Sequence, residues 1–184
     1  MATAAQSAGK KSAKSKASTA KKTTTARKTP QKDAVALLKA DHREVEGWFS
    51  QFEKAKSDAK KLELVQKILL ALKVHTQVEE ELFYPPSREF VKDDEIVDEA
   101  VVEHDAAKKL MAEIEAMQPS DDMYDAKVKV LSEMIEHHVE EEEKEYFPQC
   151  QKSDMDLKAI GEQIMMRKKE LMTELQPAQM NTVQ

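Results

Sequence analysis

Four long stretches of the chain place apolar residues at alternating steps of three and four, the spacing that lines one face of an α-helix. Each stretch opens on residues that favour a helix start, namely Thr29-Pro30, Ser57-Asp58, Asp93-Asp94 and Ser120. Prolines at positions 85–86 and 148 are expected to end the second and fourth. The pattern therefore predicts four amphipathic helices, over about residues 29–55, 57–85, 93–117 and 120–148.

Each predicted helix has a stripe of residues that face the interior. The stripes are, in chain order, Val35, Leu38, His42, Val45, Phe49 and Phe52; Val65, Ile68, Leu72, His75, Glu79 and Leu82 or Phe83; Val97, Ala100, His104, Ala107, Met111 and Ile114; Val128, Leu131, Ile135, His138, Glu142 and Tyr146. An offset of 62 maps the first stripe onto the third, and an offset of 63 maps the second onto the fourth. This repeat indicates a duplicated helix pair.

Short loops between the predicted helices favour antiparallel neighbours. We therefore predict an all-α fold, an up-down-up-down four-helix bundle built from the duplicated pair. A fifth amphipathic stretch follows at residues 153–175, with Gly161 as a weak point, and its apolar face would either cover the bundle or form a dimer contact. The predicted domains are a tail at 1–32, the bundle at 33–150, and the C-terminal helix with a frayed end at 151–184.

Residues 1–32 form a basic arm with nine Lys or Arg, no acidic residue, and no Leu, Ile, Val or Phe. Such a segment has too little apolar surface to offset the entropy of ordering, so we predict that it is disordered. The net charge of −6 leaves −15 on residues 33–184. The arm is either a solubilising tail that folds back onto the acidic body, or an arm that binds nucleic acid or another polyanion by counterion release.

The chain lacks an apolar run long enough for a secretory signal or a membrane span, so we expect a cytoplasmic protein without a membrane partner. The single cysteine, Cys150, excludes an internal disulfide framework and a cysteine-based metal motif. The sequence predicts no particular oligomeric state.

Each inward stripe carries one histidine, and the second and fourth stripes also carry a glutamate four residues later. One histidine on an apolar face is more often a buried neutral side chain with a hydrogen-bond partner than a metal ligand. Two buried carboxylates, however, cost several kcal/mol each without a counter-charge, and the stripes contain no Lys or Arg. Two divalent cations would supply that charge.

We therefore predict a two-metal site in which one histidine pair binds each ion and both glutamates bridge the two ions, together with a solvent-derived oxo or hydroxo group. The predicted pairs are His42 with His75 and His104 with His138, and the predicted bridges are Glu79 and Glu142. Imidazole and carboxylate ligands with an open position suit redox-active iron that meets O₂ or a related small molecule. The order His-x-x-x-Glu differs from the Glu-x-x-His of ferritin-like di-iron proteins.

The chain resembles the hemerythrin HHE cation-binding family over about residues 33–148. The resemblance rests on a lone histidine followed by His-x-x-x-Glu-Glu and Phe-Tyr-Pro, and on the repetition of both elements. The resemblance implies two non-haem iron ions bound by the same six side chains. Two departures stand out: Lys108 lies where oxygen-carrying hemerythrins have a further histidine, and His138-x-x-x-Glu142 replaces their His-x-x-x-x-Asp. The resemblance therefore implies sensing, NO or peroxide chemistry, or iron handling, rather than simple reversible O₂ carriage.

The predicted function is that of a non-haem di-iron protein that binds or senses O₂, NO or peroxide, or handles iron. An alternative is a di-iron peroxidase or NO-reducing enzyme on the same site, and another is a polyanion-associated protein that acts through its arm. The sequence shows no second catalytic group, so we predict no catalytic residue, and turnover is left open with a binding protein favoured.

Three local alternatives concern residues beside the predicted ligands. His137 and Glu141 also form an i, i+4 pair, but the offset of 63 maps His137 onto Val74 and places His138 on the stripe. Next to the glutamates, Glu80 and Glu143 are either outer-face charges or hydrogen-bond acceptors for the ligands. Tyr146 either belongs to the core, like its counterpart Phe83, or donates a hydrogen bond into the site.

Overall fold

The structure, a computed structural model, describes residues 32–91 and 94–175. Five long helices dominate it, and no strand occurs within these residues, so the predicted all-α fold is confirmed. The long helices are the first, Ala34–Lys54; the second, Asp58–Val78; the third, Asp94–Glu115; the fourth, Tyr124–Glu141; and the C-terminal helix, Leu157–Leu175. The predicted disorder of the arm up to residue 31, and the predicted fraying of residues 176–184, lie outside the described part of the chain.

The first four long helices pack as two antiparallel pairs. The first helix packs against the second and the third against the fourth, while contacts of the second with the third and of the first with the fourth close the square. This is the predicted up-down-up-down bundle. No helix within the described ranges combines the length and the apolar character that a membrane crossing requires.

Two helix starts differ from the prediction. The first helix begins at Ala34, where the Asp33 carboxylate accepts a hydrogen bond from the Ala36 N–H at 2.8 Å. The fourth begins only at Tyr124, because the preceding residues form turns in which the Asp121 carboxylate accepts from the Gln118 N–H at 2.8 Å. The predicted cap at Ser57 is confirmed, since its side chain accepts from the N–H of the third residue along.

Every predicted inward position is buried, with Phe83 rather than Leu82 completing the second stripe. The buried apolar side chains form two clusters, one containing Leu38, Phe83 and Val97, the other Val45 and Leu72. On each helix the histidine falls between positions that belong to the two clusters. The core is therefore two apolar regions with a polar layer between them.

The prolines do not end the second and fourth helices, so that part of the prediction was wrong. A π-helical turn, Glu79–Phe83, follows the second helix and leads into the short helix Tyr84–Ser87. A matching turn, Glu142–Tyr146, follows the fourth and leads into Phe147–Lys152. The prolines then lie in the first turn of each short helix, where a missing N–H leaves no hydrogen bond unmade.

The C-terminal helix packs against the first and second helices, so its apolar face covers the bundle, one of the two predicted alternatives. Gly161 lies at the closest approach, where an added Cβ atom would be 2.9 Å from the backbone nitrogen of Ala34. The absence of a side chain at Gly161 thus permits close contact between the C-terminal helix and the start of the first helix.

Candidate metal centre

All six predicted metal ligands lie in the polar layer between the two apolar clusters. Each residue exposes at most 5% of its surface. The six are His42, His75, Glu79, His104, His138 and Glu142. The two glutamates are the first residues of the two π-helical turns, a kind of turn that occurs frequently at functional sites.

The histidines meet in two pairs through their Nε2 atoms. His42 and His75 are 3.1 Å apart at these atoms, and His104 and His138 are also 3.1 Å apart. Two imidazole nitrogens that each lie about 2.1 Å from one metal ion, at right angles, are separated by about 3.0 Å. The spacing of both pairs therefore fits a shared cation.

The glutamates connect the two histidine pairs. Oε2 of Glu79 lies 3.1 Å from His75 Nε2 and 3.4 Å from His104 Nε2. Oε2 of Glu142 lies 3.4 Å from His42 Nε2 and 3.6 Å from His138 Nε2. Each carboxylate thus reaches one histidine of its own helix and one histidine of the other pair, the arrangement required of a bridging ligand.

Three of the four oxygens of the buried glutamates lack hydrogen-bond partners within the described residues. Both oxygens of Glu79 and Oε2 of Glu142 are unpartnered, because the contact of Glu79 with His75 is close without the geometry of a hydrogen bond. A buried carboxylate without a partner is strongly unfavourable. A cation bound to these oxygens would remove the penalty, so the residues present fit a metal pair.

The charges in the layer also favour positive charge there. Burial by itself lowers the pKa of His75, but the carboxylates of Glu79 and Asp41 outweigh it and raise the pKa to about 10. Burial likewise opposes the charged form of His138, whose pKa the negative charge of Glu142 raises to about 8. For Glu142, burial raises the pKa, yet the neighbouring histidines lower it to about 2. A bound cation would take the place of these protons.

The Nδ1 atom of every histidine in the layer contacts a carboxylate on its outer side. The pairs are His42 with Glu143 at 2.9 Å, His75 with Asp41 at 3.4 Å, His104 with Glu80 at 2.9 Å, and His138 with Glu103 at 2.7 Å. Because a carboxylate only accepts, Nδ1 carries a proton, and Nε2 faces the interior, where its lone pair would bind a metal ion in place of a proton. Such partners orient metal-binding histidines.

Glu80 and Glu143 both contact histidines as hydrogen-bond acceptors, which is one of the two roles that the sequence allows for them. Asp41 and Glu103, which directly precede the histidines of the first and third helices, are not among the predicted site residues. The offset of 62 maps Asp41 onto Glu103, so the repeat contained a signal for this pair.

The sequence profile of the hemerythrin HHE cation binding domain matches residues 33–150, the whole bundle with its six-residue layer. The chain belongs to the hemerythrin HHE cation-binding domain family. It is therefore a metal-binding helical bundle.

Two known proteins are similar to this HHE domain. The crystal structure of a hemerythrin HHE cation binding domain-containing protein from Mycobacterium kansasii matches with a TM-score of 0.66 at 21% identity, covering 78% of this chain and 89% of that one. A DNA nickase of Nostoc sp. is 28% identical over 111 residues, which are 60% of this chain and 31% of that protein. The chain thus spans about a third of the length of this relative.

Permanent cations neutralise three of the outer carboxylates in this HHE domain. Lys168 pairs with Asp41, Arg43 with Glu143, and Lys108 with Glu80, the last at 2.6 Å. Lys108, which departs from the oxygen-carrier pattern, therefore reaches the carboxylate that holds His104 and not the interior of the layer.

Tyr84 adds a phenol to the layer that sequence reasoning missed. Its hydroxyl donates to Oε1 of Glu142 at 3.0 Å and lies 3.4 Å from Nε2 of His104. Burial and the nearby negative charges raise the pKa of Tyr84 well above its usual value, so the phenol keeps its proton. Tyr146, the phenol that sequence reasoning considered, instead hydrogen-bonds the Ser87 hydroxyl.

The counterpart of Tyr84 under the offset of 63 is Phe147, whose ring stacks on His42 at a centroid distance of 5.9 Å. The two halves of the layer therefore differ in one hydroxyl group. The alternative pair His137 and Glu141 lies outside the layer, with the His137 side chain 64% exposed.

A small apolar cavity adjoins the histidines. Besides the four imidazoles, its lining includes Val45, Leu72, Ile135 and Val139. These aliphatic side chains shield the Nε2 atoms from solvent, and the cavity, with a volume of about 10 Å³, has space for about one water-sized molecule.

Proposed function

We propose that the six side chains of the layer hold two iron ions and that the protein binds or senses O₂, NO or peroxide there. The observation that carries the proposal is the pair of buried glutamates, each close to Nε2 atoms of both histidine pairs and each with at least one oxygen that has no hydrogen-bond partner among the described residues. Iron, when bound, would supply a redox-active centre with affinity for these small molecules.

The surrounding residues have separate roles in this proposal. The outer carboxylates fix each imidazole with Nε2 inward. The aliphatic side chains around the small cavity keep bulk solvent and larger molecules away from the Nε2 atoms, which favours a ligand of very few atoms. Tyr84 holds Glu142 in place through its hydroxyl and keeps a proton beside the layer.

The test is iron content together with optical spectra of the reduced, oxidised and NO-treated protein. We expect two irons per chain, a charge-transfer absorption in air, and a spectral change with NO. His75→Ala should abolish the absorption, and His137→Ala, which removes an exposed histidine of the fourth helix, should preserve it. A wild-type protein without iron, with the same spectrum as His75→Ala, would refute the proposal.

A second candidate is an enzyme on the same site, a peroxidase or an NO-reducing enzyme. The position of the Tyr84 hydroxyl favours it, because an O–H group 3.0 Å from Glu142 Oε1 and 3.4 Å from His104 Nε2 can donate a hydrogen bond to a ligand that is being reduced in the layer. Steady turnover with an added reductant, lost in Glu142→Ala, would support the enzyme. A single stoichiometric reaction would support the sensor instead.

A further role concerns the basic arm, residues 1–32, which lies almost wholly outside the described residues. Its nine Lys or Arg and the similarity to a DNA nickase support sequence-blind binding of nucleic acid. The full chain should bind duplex DNA with an affinity that falls steeply with salt, and deletion of residues 1–31 should abolish binding. No binding by the full chain at low salt would exclude this role.

A further inference from the structure

The fourth outer carboxylate, Glu103, differs from the other three. Asp41, Glu80 and Glu143 each contact a lysine or an arginine. Glu103 contacts no lysine or arginine among the described residues, and its ion-pair contacts are with two histidines. One of its oxygens accepts from His138 Nδ1 at 2.7 Å, and the other faces outward. An outward-facing carboxylate oxygen is therefore available for a cation.

His137 and Glu141 surround that outward oxygen. Nε2 of His137 lies 3.6 Å from Oε1 of Glu103 and 3.4 Å from Oε1 of Glu141. One donor atom from each of the three residues lies within 4.8 Å of the other two. The i, i+4 spacing on the fourth helix directs His137 and Glu141 to one side, and Glu103 approaches from the third helix.

The cluster exists in only one half of the duplicated bundle. The offset of 63 maps His137 and Glu141 onto Val74 and Val78, which are buried apolar residues. Asp41, the counterpart of Glu103, uses its second oxygen for Lys168. The repeat that produced the buried layer therefore accounts for Glu103 as a partner of His138, but not for His137 and Glu141 beside it.

We propose that Glu103, His137 and Glu141 form a third metal site, at the surface, for a divalent transition-metal ion. One imidazole and two carboxylates are a ligand set for Fe²⁺, Mn²⁺ or Zn²⁺, and water completes the coordination on the exposed side. The site goes beyond the proposed di-iron function because its ligands are not those of the buried layer. Glu103 joins the two, with one oxygen on the surface ion and the other on His138.

The test is a titration of the full-length, iron-loaded chain with Mn²⁺. Binding is measured as the loss of the paramagnetic resonance signal of free Mn²⁺. Wild type should bind one Mn²⁺ per chain more than His137→Ala. Glu141→Gln should lower the affinity for that ion by about tenfold or more. Loss of a residue that only hydrogen-bonds a metal ligand already lowers metal affinity by about tenfold, and Glu141 is proposed to bind the ion directly. Glu136→Gln removes a neighbouring exposed carboxylate outside the cluster and should bind like wild type.

Equal Mn²⁺ binding by wild type and His137→Ala would overturn the proposal, as would an equal loss in Glu136→Gln. His137 is exposed, so its replacement leaves the bundle folded, which far-ultraviolet circular dichroism will verify. Iron content is measured on the same samples. A chain that fails to hold iron in the buried layer would still show the difference between wild type and His137→Ala, which separates this result from the proposed function.

Discussion

Each imidazole of the buried layer is held at both ring nitrogens. A carboxylate fixes Nδ1 from outside, and Nε2 faces another histidine and a glutamate inside, as His104 does between Glu80 and His138. The donors are thus oriented by contacts that do not involve the metal. A cation that enters needs little rearrangement of these side chains, which favours affinity.

The outer carboxylates should therefore control how tightly iron is bound. Glu80→Gln removes the charge that holds Nδ1 of His104, and we expect iron affinity to fall by about 10–100-fold. Competition with a coloured chelator measures the effect. Glu81→Gln is the matched control, because this carboxylate pairs with Arg167 at the surface and should leave affinity unchanged. Equal affinities of Glu80→Gln and wild type would show that Nδ1 needs no carboxylate.

The Tyr84 hydroxyl should stabilise the metal-free fold. Tyr84→Phe leaves Oε1 of Glu142 without its hydrogen bond, so the free energy of unfolding should fall by about 1–3 kcal/mol. Tyr124→Phe is the control, since its buried hydroxyl has no hydrogen-bond partner among residues 32–91 and 94–175 and its removal should cost little. Urea unfolding of both variants gives the comparison, and equal losses would argue against a special role of Tyr84.

The six layer residues could be predicted from sequence because each lies on a stripe that is periodic within its own helix. Tyr84 could not, because its contact with Glu142 joins residues that are 58 positions apart and depends on how the π-helical turn directs its ring. The same holds for Asp41, which reaches His75 on the neighbouring helix. Periodicity shows which residues of a helix face the interior. It does not show which residue of a neighbouring helix a side chain at the edge of that face will contact.

Among the elements, the two π-helical turns begin at the layer glutamates and connect them to the short helices that contain the prolines. At the end of each turn the N–H of Tyr84 or Phe147 donates to the carbonyl of Glu79 or Glu142, five residues earlier. The wider turn keeps the chain helical up to the prolines. A sequence with proline predicts a helix end, whereas tertiary packing here supports a short further helix beyond each turn.

The C-terminal helix should depend on the small size of Gly161. In Gly161→Ala the new methyl group would meet the backbone at Ala34, so we expect a loss of about 1–3 kcal/mol in the free energy of unfolding. Gly47→Ala is the control, because nothing lies within 4 Å of its added Cβ. That variant should gain about 0.5–1 kcal/mol from better helix propensity. Thermal unfolding measures both, and a stabilised Gly161→Ala would contradict the close contact.

At the scale of the whole molecule, the polar layer divides the apolar core into two clusters. The layer contains two buried carboxylates with oxygens that have no hydrogen-bond partner among the described residues, which destabilises the metal-free interior. Filling it with cations should therefore stabilise the bundle as a unit. The helical bundle and the six layer residues could be predicted from the periodic apolar stripes and the internal repeat. The expected stabilisation by cations could not, because it depends on which carboxylate oxygens lack hydrogen bonds in the folded protein.

Removal of the metal should lower the melting temperature. At a free iron concentration about 100 times the dissociation constant, binding adds about 2.7 kcal/mol, which for a domain of this size corresponds to roughly 5–10 °C. Scanning calorimetry with and without a chelator measures the difference. His75→Ala should show no such difference, and His137→Ala should retain it. A wild type that melts at the same temperature in both conditions would show that the layer is stable without cations.

The single hydroxyl that distinguishes Tyr84 from Phe147 shows what a duplication within one chain permits, namely a difference between the two helix pairs. Two identical helix pairs that associate as separate chains would carry the same aromatic residue on both sides, and their two ion positions would be equivalent by symmetry. Joining the pairs in one polypeptide removes that constraint. One histidine pair now lies beside a phenol that keeps its proton and the other beside a phenyl ring, so the two pairs can differ in function, which a symmetric dimer does not allow.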